Sequence, residues 1–212
     1  MGNDMNTVIE LIIDKLDDAF LYIPDGCRWA CGIVILILIS GMVYKFCLHK
    51  NIALIFWAKL ILSFFLTVYI YCVLQITIFS RQAGNFGGID WRFMTIWSEN
   101  DAQKAFLIAN IIMFIPLGIL MPMICKWTKH IMISLPIAIL SSICIEAVQL
   151  KYQLGYCQLD DVVANSSGFL IGFLIYLMIA DIYFFICGIC NALVRMFVSK
   201  LKMERNKDIN NT

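Results

Sequence analysis

Charge is scarce in this chain. Asp, Glu, Lys and Arg together supply 15% of 212 residues, where a soluble domain carries about a quarter. The net charge of +1 gives no basic footprint for nucleic acid, so no nucleic-acid partner is expected. Histidine is rarer still: His49 and His130 both fall in short polar stretches between apolar runs. No His/Cys spacing of metal-ligand type, no nucleophile beside a histidine and no glycine-rich phosphate loop occur, so neither a metal nor a cofactor is expected. The nine cysteines are an odd number, and Cys47, Cys72, Cys125, Cys144, Cys187 and Cys190 lie inside apolar runs, where a free thiol behaves as a small hydrophobe. Cys187 and Cys190 form CGIC but lack the βαβ setting of a redox motif. The opening "MGNDMNTVIELIIDKLDDAF" has no basic n-region and no small-residue cleavage site, so no cleavable signal is expected.

What is present is apolar length. Hydrophobic residues make up 61% of the chain and the mean hydropathy is +0.84. Runs at 29–48, 54–79, 104–125, 131–150 and 162–182 each reach the ~20 residues that cross a bilayer. The expected fold is therefore all-α: a polytopic transmembrane helix bundle of about five spans, with membrane lipids as its immediate partners. A sixth span is the alternative, because the apolar run from 162 continues to about 198. Ahead of the first span, Ile9, Ile12, Ile13, Leu16, Phe20 and Ile23 form one stripe and Glu10, Asp14, Asp17 and Asp18 oppose it, the pattern of an amphipathic helix packed on the rest of the protein. Pro24-Asp25-Gly26 reads as the turn after it. The divisions that follow are an N-terminal helix at 1–25, a first span and the start of the second at 26–65, a membrane domain at 66–182 and a basic tail at 183–212. With the C-terminus inside, nine Lys and Arg lie in inner segments and six in outer ones, which favours N-out, C-in.

Polar residues gather where they are costly. In "IEAVQLKYQLGYCQLDDVVANSSGFLIG" (145–172), Asp161, Asn165, Gly168 and Gly172 step by four, three and four and share one helix face. The two glycines have the spacing that lets helices approach closely, within the chain or between two copies. Glu146 and Gln149 stack near the end of the fourth span, and Asn110 lies inside the third. At helical rise Glu146, Asn110 and Asn165 come to ~6–9 Å from one membrane surface. Acidic groups at such depth usually face a bundle interior and are functional candidates. Arg81, closing the second span, is the candidate counter-charge or equally an interfacial anchor. Asp160 reads as the N-cap of the fifth helix; Asp161 and Glu146 either form a functional pocket or hold the bundle by hydrogen bonds to Asn110, Asn165 and Gln149. Pro116 should bend the third span beside Asn110.

These segments resemble the VanZ-like family. The resemblance is carried by "YCVLQITIFSR" (71–81), "NIIMFIPLGILMP" (110–122), "IEAVQL" (145–150) and "GYCQLDDVVANSSGFLIG" (155–172), in order, across 66 to about 180. Leu154 stands where the family often has arginine, and "WRFMTIW" (91–97) replaces its Asn-Leu-x-Pro-Phe run. The resemblance implies a bacterial plasma-membrane protein associated with resistance to glycopeptides of the teicoplanin type. A glycopeptide or a lipid-linked cell-wall precursor is then the implied partner.

Three functions follow as expectations. The first is a non-enzymatic membrane protein whose Arg81, Asn110, Glu146, Gln149, Asp160, Asp161 and Asn165 bind a headgroup at the outer leaflet. The second is a membrane-embedded enzyme on a lipid-linked substrate, with Glu146 and Asp161 as the catalytic acid/base pair. The third is a transporter or accessory subunit, the latter docking a protein partner through the acidic N-terminal helix.

Overall fold

The computed structural model describes residues 2–48, 54–84, 88–90 and 101–210. His49, Lys50 and the 91–97 segment lie outside the described residues, as do the side chains of Lys45, Cys47 and the basic tail from Lys200 on. In order, the elements are α1 (Gly2–Leu21), α2 (Ile23–Leu48), α3 (Leu54–Leu74), a π-helical turn (Gln75–Phe79), β1 (Ile89–Asp90), α4 (Asp101–Ile124), a 3-10 turn (Lys126–Lys129), α5 (Ile131–Lys151), β2 (Cys157–Gln158) and α6 (Leu159–Asn210). Among the described residues five helical stretches are long and apolar enough to cross a membrane: Thr7–Ile39, Phe56–Phe79, Gln103–Ile124, Ile131–Lys151 and Leu159–Ser199. The last runs without a break, so no turn is available for a sixth span.

The N-terminal region departs from expectation in two ways. Pro24, Asp25 and Gly26 form the first turn of α2 instead of a loop, and the Gly26 amide donates to the Tyr22 carbonyl at 2.9 Å. Proline fits there because a first-turn amide has no helical acceptor to lose. Asp25 sits at the positive end of the helix and pairs with Arg28. Gly26 is buried where a Cβ would press on Tyr71 and Val68, so α2 meets α3 at close range. The second departure is the α1 stripe. Val8 is buried, with Leu11, Ile12, Ala19 and Tyr22 half-buried, whereas Ile9, Ile13, Leu16, Phe20 and Ile23 are exposed. Helix α1 packs on α4, but most of its apolar stripe faces away from the protein. In a bilayer that face has lipid to meet, and burying it against protein gains nothing.

The centre of the bundle is the crossing of α4 and α6. A Cβ on Gly168 would strike the Ile111 carbonyl, one on Gly172 the Ile115 carbonyl, and one on Gly118 the backbone at Phe169 and Phe173. Backbones approach this closely only where no side chain intervenes. The small-residue face expected on α6 is thus occupied by α4 of the same chain, which removes it as a surface between copies. Around the crossing sit Phe114 and Phe169, both essentially inaccessible, with Phe173 stacked on Phe169 at 6.3 Å between centroids.

Two connections shape the end of the bundle at Arg81. After α5 the chain closes with Leu154 N–H on the Gln149 carbonyl (2.8 Å) and Gln153 N–H on the Leu150 carbonyl (3.3 Å). This is a Schellman closure, with Gln153 in the left-handed region (φ 54°) that usually takes glycine. The loop after the π-turn is then tied down: Gly84 N–H donates to Gln153 O, Cys157 N–H to Gly88 O, and Ile89–Asp90 pair in parallel with Cys157–Gln158.

The chain divides into two compact units after Leu174. The 175–212 unit holds the later part of α6, where Phe184, Phe185, Ile186, Ile189, Leu193 and Phe197 are all exposed. A helix that is apolar all round suits lipid on every side.

Candidate functional site

Helices α1, α3 and α4, the π-turn, the loop before α6 and the first turn of α6 enclose a cavity of about 810 Å³. Its polar lining includes Ser80 and Arg81 just past the π-turn, Gln103 and Asn110 on α4, Tyr156 and Gln158 before α6, Asp161 on α6, and Lys15 and Asp18 on α1. Its apolar lining comes from helix interiors, with Val73 and Ile76 on one side and Ile112, Met113 and Pro116 on the other. Pro116 cannot donate to the Ile112 carbonyl, so the helix ladder is interrupted at two residues that both line the cavity. One polar wall and one apolar wall make the chamber amphipathic.

Three of the residues singled out from the sequence line this cavity: Arg81, Asn110 and Asp161. Asn110 Nδ2 donates to Asp161 Oδ1 at 2.8 Å, joining α4 to α6. Arg81 rests against Gly155, where even a Cβ would come within 3.1 Å of Nη1. Both carboxylates, Asp161 and Glu146, feel its charge.

The other four lie elsewhere. Glu146 is 3% exposed and absent from the lining; its Oε2 accepts the Gln158 backbone N–H at 3.1 Å. It holds the strand that carries the cavity wall. Gln149, 2% exposed, donates through Nε2 to the Thr77 carbonyl at 3.0 Å and ties α5 to the π-turn. Asn165 donates to Ser142 Oγ at 2.8 Å, and its Oδ1 is the one buried side-chain oxygen without a partner among the described residues. Asp160 is buried within the first turn of α6, which begins at Leu159, and so lies one step past the cap expected for it. Five of the seven residues thus make four separate interhelical and strand ties: Asn110 with Asp161, Glu146, Gln149 and Asn165. Of the expected acid/base pair, Asp161 lines the cavity and Glu146 does not.

Sequence reasoning passed over Thr77, Ser142, Tyr156 and Gln158. Ser142 had a signal: it precedes Glu146 by four and Gln149 by seven, on the same face, and all three are buried. Thr77 had none, because "QITIF" reads as ordinary apolar helix. There Thr77 Oγ1 bonds the Val73 carbonyl at 2.7 Å and the Ser80 amide reaches back five residues to Gln75 at 2.8 Å. Such π-turns are frequent at functional sites because they re-aim the residues that follow.

Cys157, in the loop before α6, has its thiol pushed above the ordinary cysteine value by burial and then by the charges of Glu146 and Asp161. It is a poor nucleophile at neutral pH. Among the described residues no group of His, Cys, Asp and Glu is arranged to hold a metal.

No curated protein and no solved structure matches the chain. The VanZ/LLP1 family pattern matches residues 51–180, more than half of the sequence. That span contains α3, the π-turn, α4, α5 and the start of α6, and so every wall of the cavity except the one supplied by α1. By that match the chain is an integral membrane protein belonging to the VanZ/LLP1 family.

Proposed function

We propose that this protein binds amphiphilic molecules in the outer leaflet of the bacterial plasma membrane, with its N-terminus outside and its C-terminus cytoplasmic. Arg81, Asn110 and Asp161 take the headgroup, and the apolar wall of α3 and α4 takes the start of the tail. By this action it lowers the effect of lipid-tailed glycopeptides of the teicoplanin type. The observation that carries the reading is the cavity itself, whose lining sets charged and amide groups beside the apolar side chains of α3 and α4. Binding pockets combine a mostly apolar lining with a few placed polar groups in this way. The enzymatic alternative has less support: Glu146 is engaged by the Gln158 backbone amide and is absent from the cavity lining. Docking of a partner through α1 also has less support, because its outward stripe is apolar and suited to lipid.

The test is teicoplanin susceptibility in a sensitive Gram-positive host expressing wild type, Asp161→Asn, Arg81→Gln and Glu146→Gln at equal membrane levels. Wild type and Glu146→Gln should protect, and the two cavity variants should not. Full protection by Asp161→Asn and Arg81→Gln would overturn the site. Absence of protection by well-expressed wild type would overturn the drug connection.

A further inference from the structure

The cavity wall supplied by α1 lies outside the family match and is charged. Lys15 and Asp18, one helical turn apart, both line the cavity. The Lys15 ammonium sits 5.1 Å from the centre of the Phe106 ring, itself part of the lining. An aromatic face attracts a cation without neutralising it. Among the described residues Lys15 and Arg81 each have no carboxylate within ion-pair distance. Asp18 has no cation at that distance among the described residues either, and Asp161 holds Asn110 through one oxygen and faces the Arg81 charge. The described part of the lining therefore carries two cations and two carboxylates, one of each sign on α1 and one of each sign at Arg81 and Asp161.

We infer that the ligand of this cavity carries a zwitterionic headgroup, with an anionic centre for Lys15 and Arg81 and an ammonium for Asp18 and Asp161. This rests on the amphiphile-binding reading and gives it a chemical class. The argument is charge complementarity, since Lys15, Asp18 and Arg81 are exposed and carry their charges to the lining. An anionic head would satisfy the two cations and leave two carboxylates facing it. A neutral polyol head would hydrogen-bond to all four groups but neutralise none. A head with both signs meets each charge with its opposite while the sum stays at zero. Selectivity among heads is then set by α1, the wall that the family pattern does not supply.

The experiment uses the purified full-length protein in dodecyl maltoside micelles with a tail-labelled fluorescent phosphatidylethanolamine, read by energy transfer from the protein's tryptophans. Unlabelled phosphatidylethanolamine, phosphatidylglycerol and diglucosyl diacylglycerol compete for the tracer. Phosphatidylethanolamine should displace it about fivefold better than either competitor, the size expected of partly exposed charge pairs. Asp18→Asn, which leaves the lining with an excess cation, should bring phosphatidylglycerol to parity. Lys15→Met should weaken phosphatidylethanolamine with no gain for phosphatidylglycerol. Equal or better competition by phosphatidylglycerol or the glycolipid against wild type would overturn the zwitterion while leaving amphiphile binding intact. An unchanged ranking in both α1 variants would overturn the role of α1. Failure of any tracer to bind would overturn the amphiphile reading together with this inference.

Discussion

Replacing Glu146 separates two roles for a buried carboxylate. Its Oε2 accepts the Gln158 N–H at 3.1 Å, and Gln158 is paired in the two-residue sheet and lines the cavity. Glu146→Ala removes a charged acceptor, worth ~1.5–3 kcal/mol, and leaves a void at a position 3% exposed. A total near 3 kcal/mol lowers the melting temperature of a chain of this size by on the order of 9 °C. Glu146→Gln keeps a carbonyl acceptor of the same shape and sheds a buried charge, so its net cost is below ~1 kcal/mol. Thermal unfolding in micelles, followed with a thiol-reactive dye, should order the three proteins wild type, Gln variant, Ala variant, with the first two close together. Ligand binding should follow the same order, because Glu146 acts on the cavity only through the strand. A Gln variant that melts like wild type yet loses binding as fully as the Ala variant would refute this reasoning. The charge would then be acting on the ligand itself.

Gly168→Ala should cost more than any surface change, about 2–3 kcal/mol or outright misfolding, because its Cβ meets the backbone carbonyl of Ile111, which has nowhere to go; Gly32→Ala, with nothing within 4 Å, is the neutral control in the same melting assay. In a variant with Cys157 as its sole cysteine, labelling by a methanethiosulfonate reagent should rise with pH later than for an ordinary thiol, because burial and the two carboxylates disfavour the thiolate. The sign is set by those charges, so Asp161→Asn should move the labelling midpoint down, and an unchanged midpoint would mean the carboxylate does not reach the thiol.

Depth is legible in a membrane sequence and direction much less so. Counting 1.5 Å per residue from the ends of the apolar runs brought Asn110, Glu146 and Asn165 to a common level. The bundle was legible for the same reason, since an apolar run of sufficient length has few alternatives in lipid. The azimuth of each side chain was not. Glu146 faces the strand at Gln158, whereas Asp161 lines the cavity. Helical periodicity relates residues within one helix, and nothing in it relates one helix to the next. The π-turn adds to the difficulty: an extra residue in the turn at Gln75–Phe79 shifts the direction of Ser80 and Arg81 from that of a continued α-helix. The α1 stripe was misjudged for a different reason. In water an apolar stripe marks the protein-facing side, whereas beside lipid it marks the outside, and the pattern is identical in both.

The same physics explains why so many amides and carboxylates stand at these helix ends. Each tie in this region joins elements that the apolar core leaves unspecified: Gln149 to the π-turn, Asn165 to Ser142, Glu146 to the strand, Asn110 to Asp161. Lipid is as apolar as the helices, so burial sets no preference for one helix neighbour over another. The glycine crossing of α4 and α6 fixes one pair by shape, and the polar ties fix the rest by direction. In the other three the tying side chains of Gln149, Asn165 and Glu146 are absent from the cavity lining. Asn110 and Asp161 are the exception, because their bond is made at the cavity surface and is open to competition from whatever enters. On the proposed reading, a ligand group that displaces Asn110 from Asp161 should loosen α4 from α6, which would couple occupancy of the cavity to the packing of its central helices at this one bond.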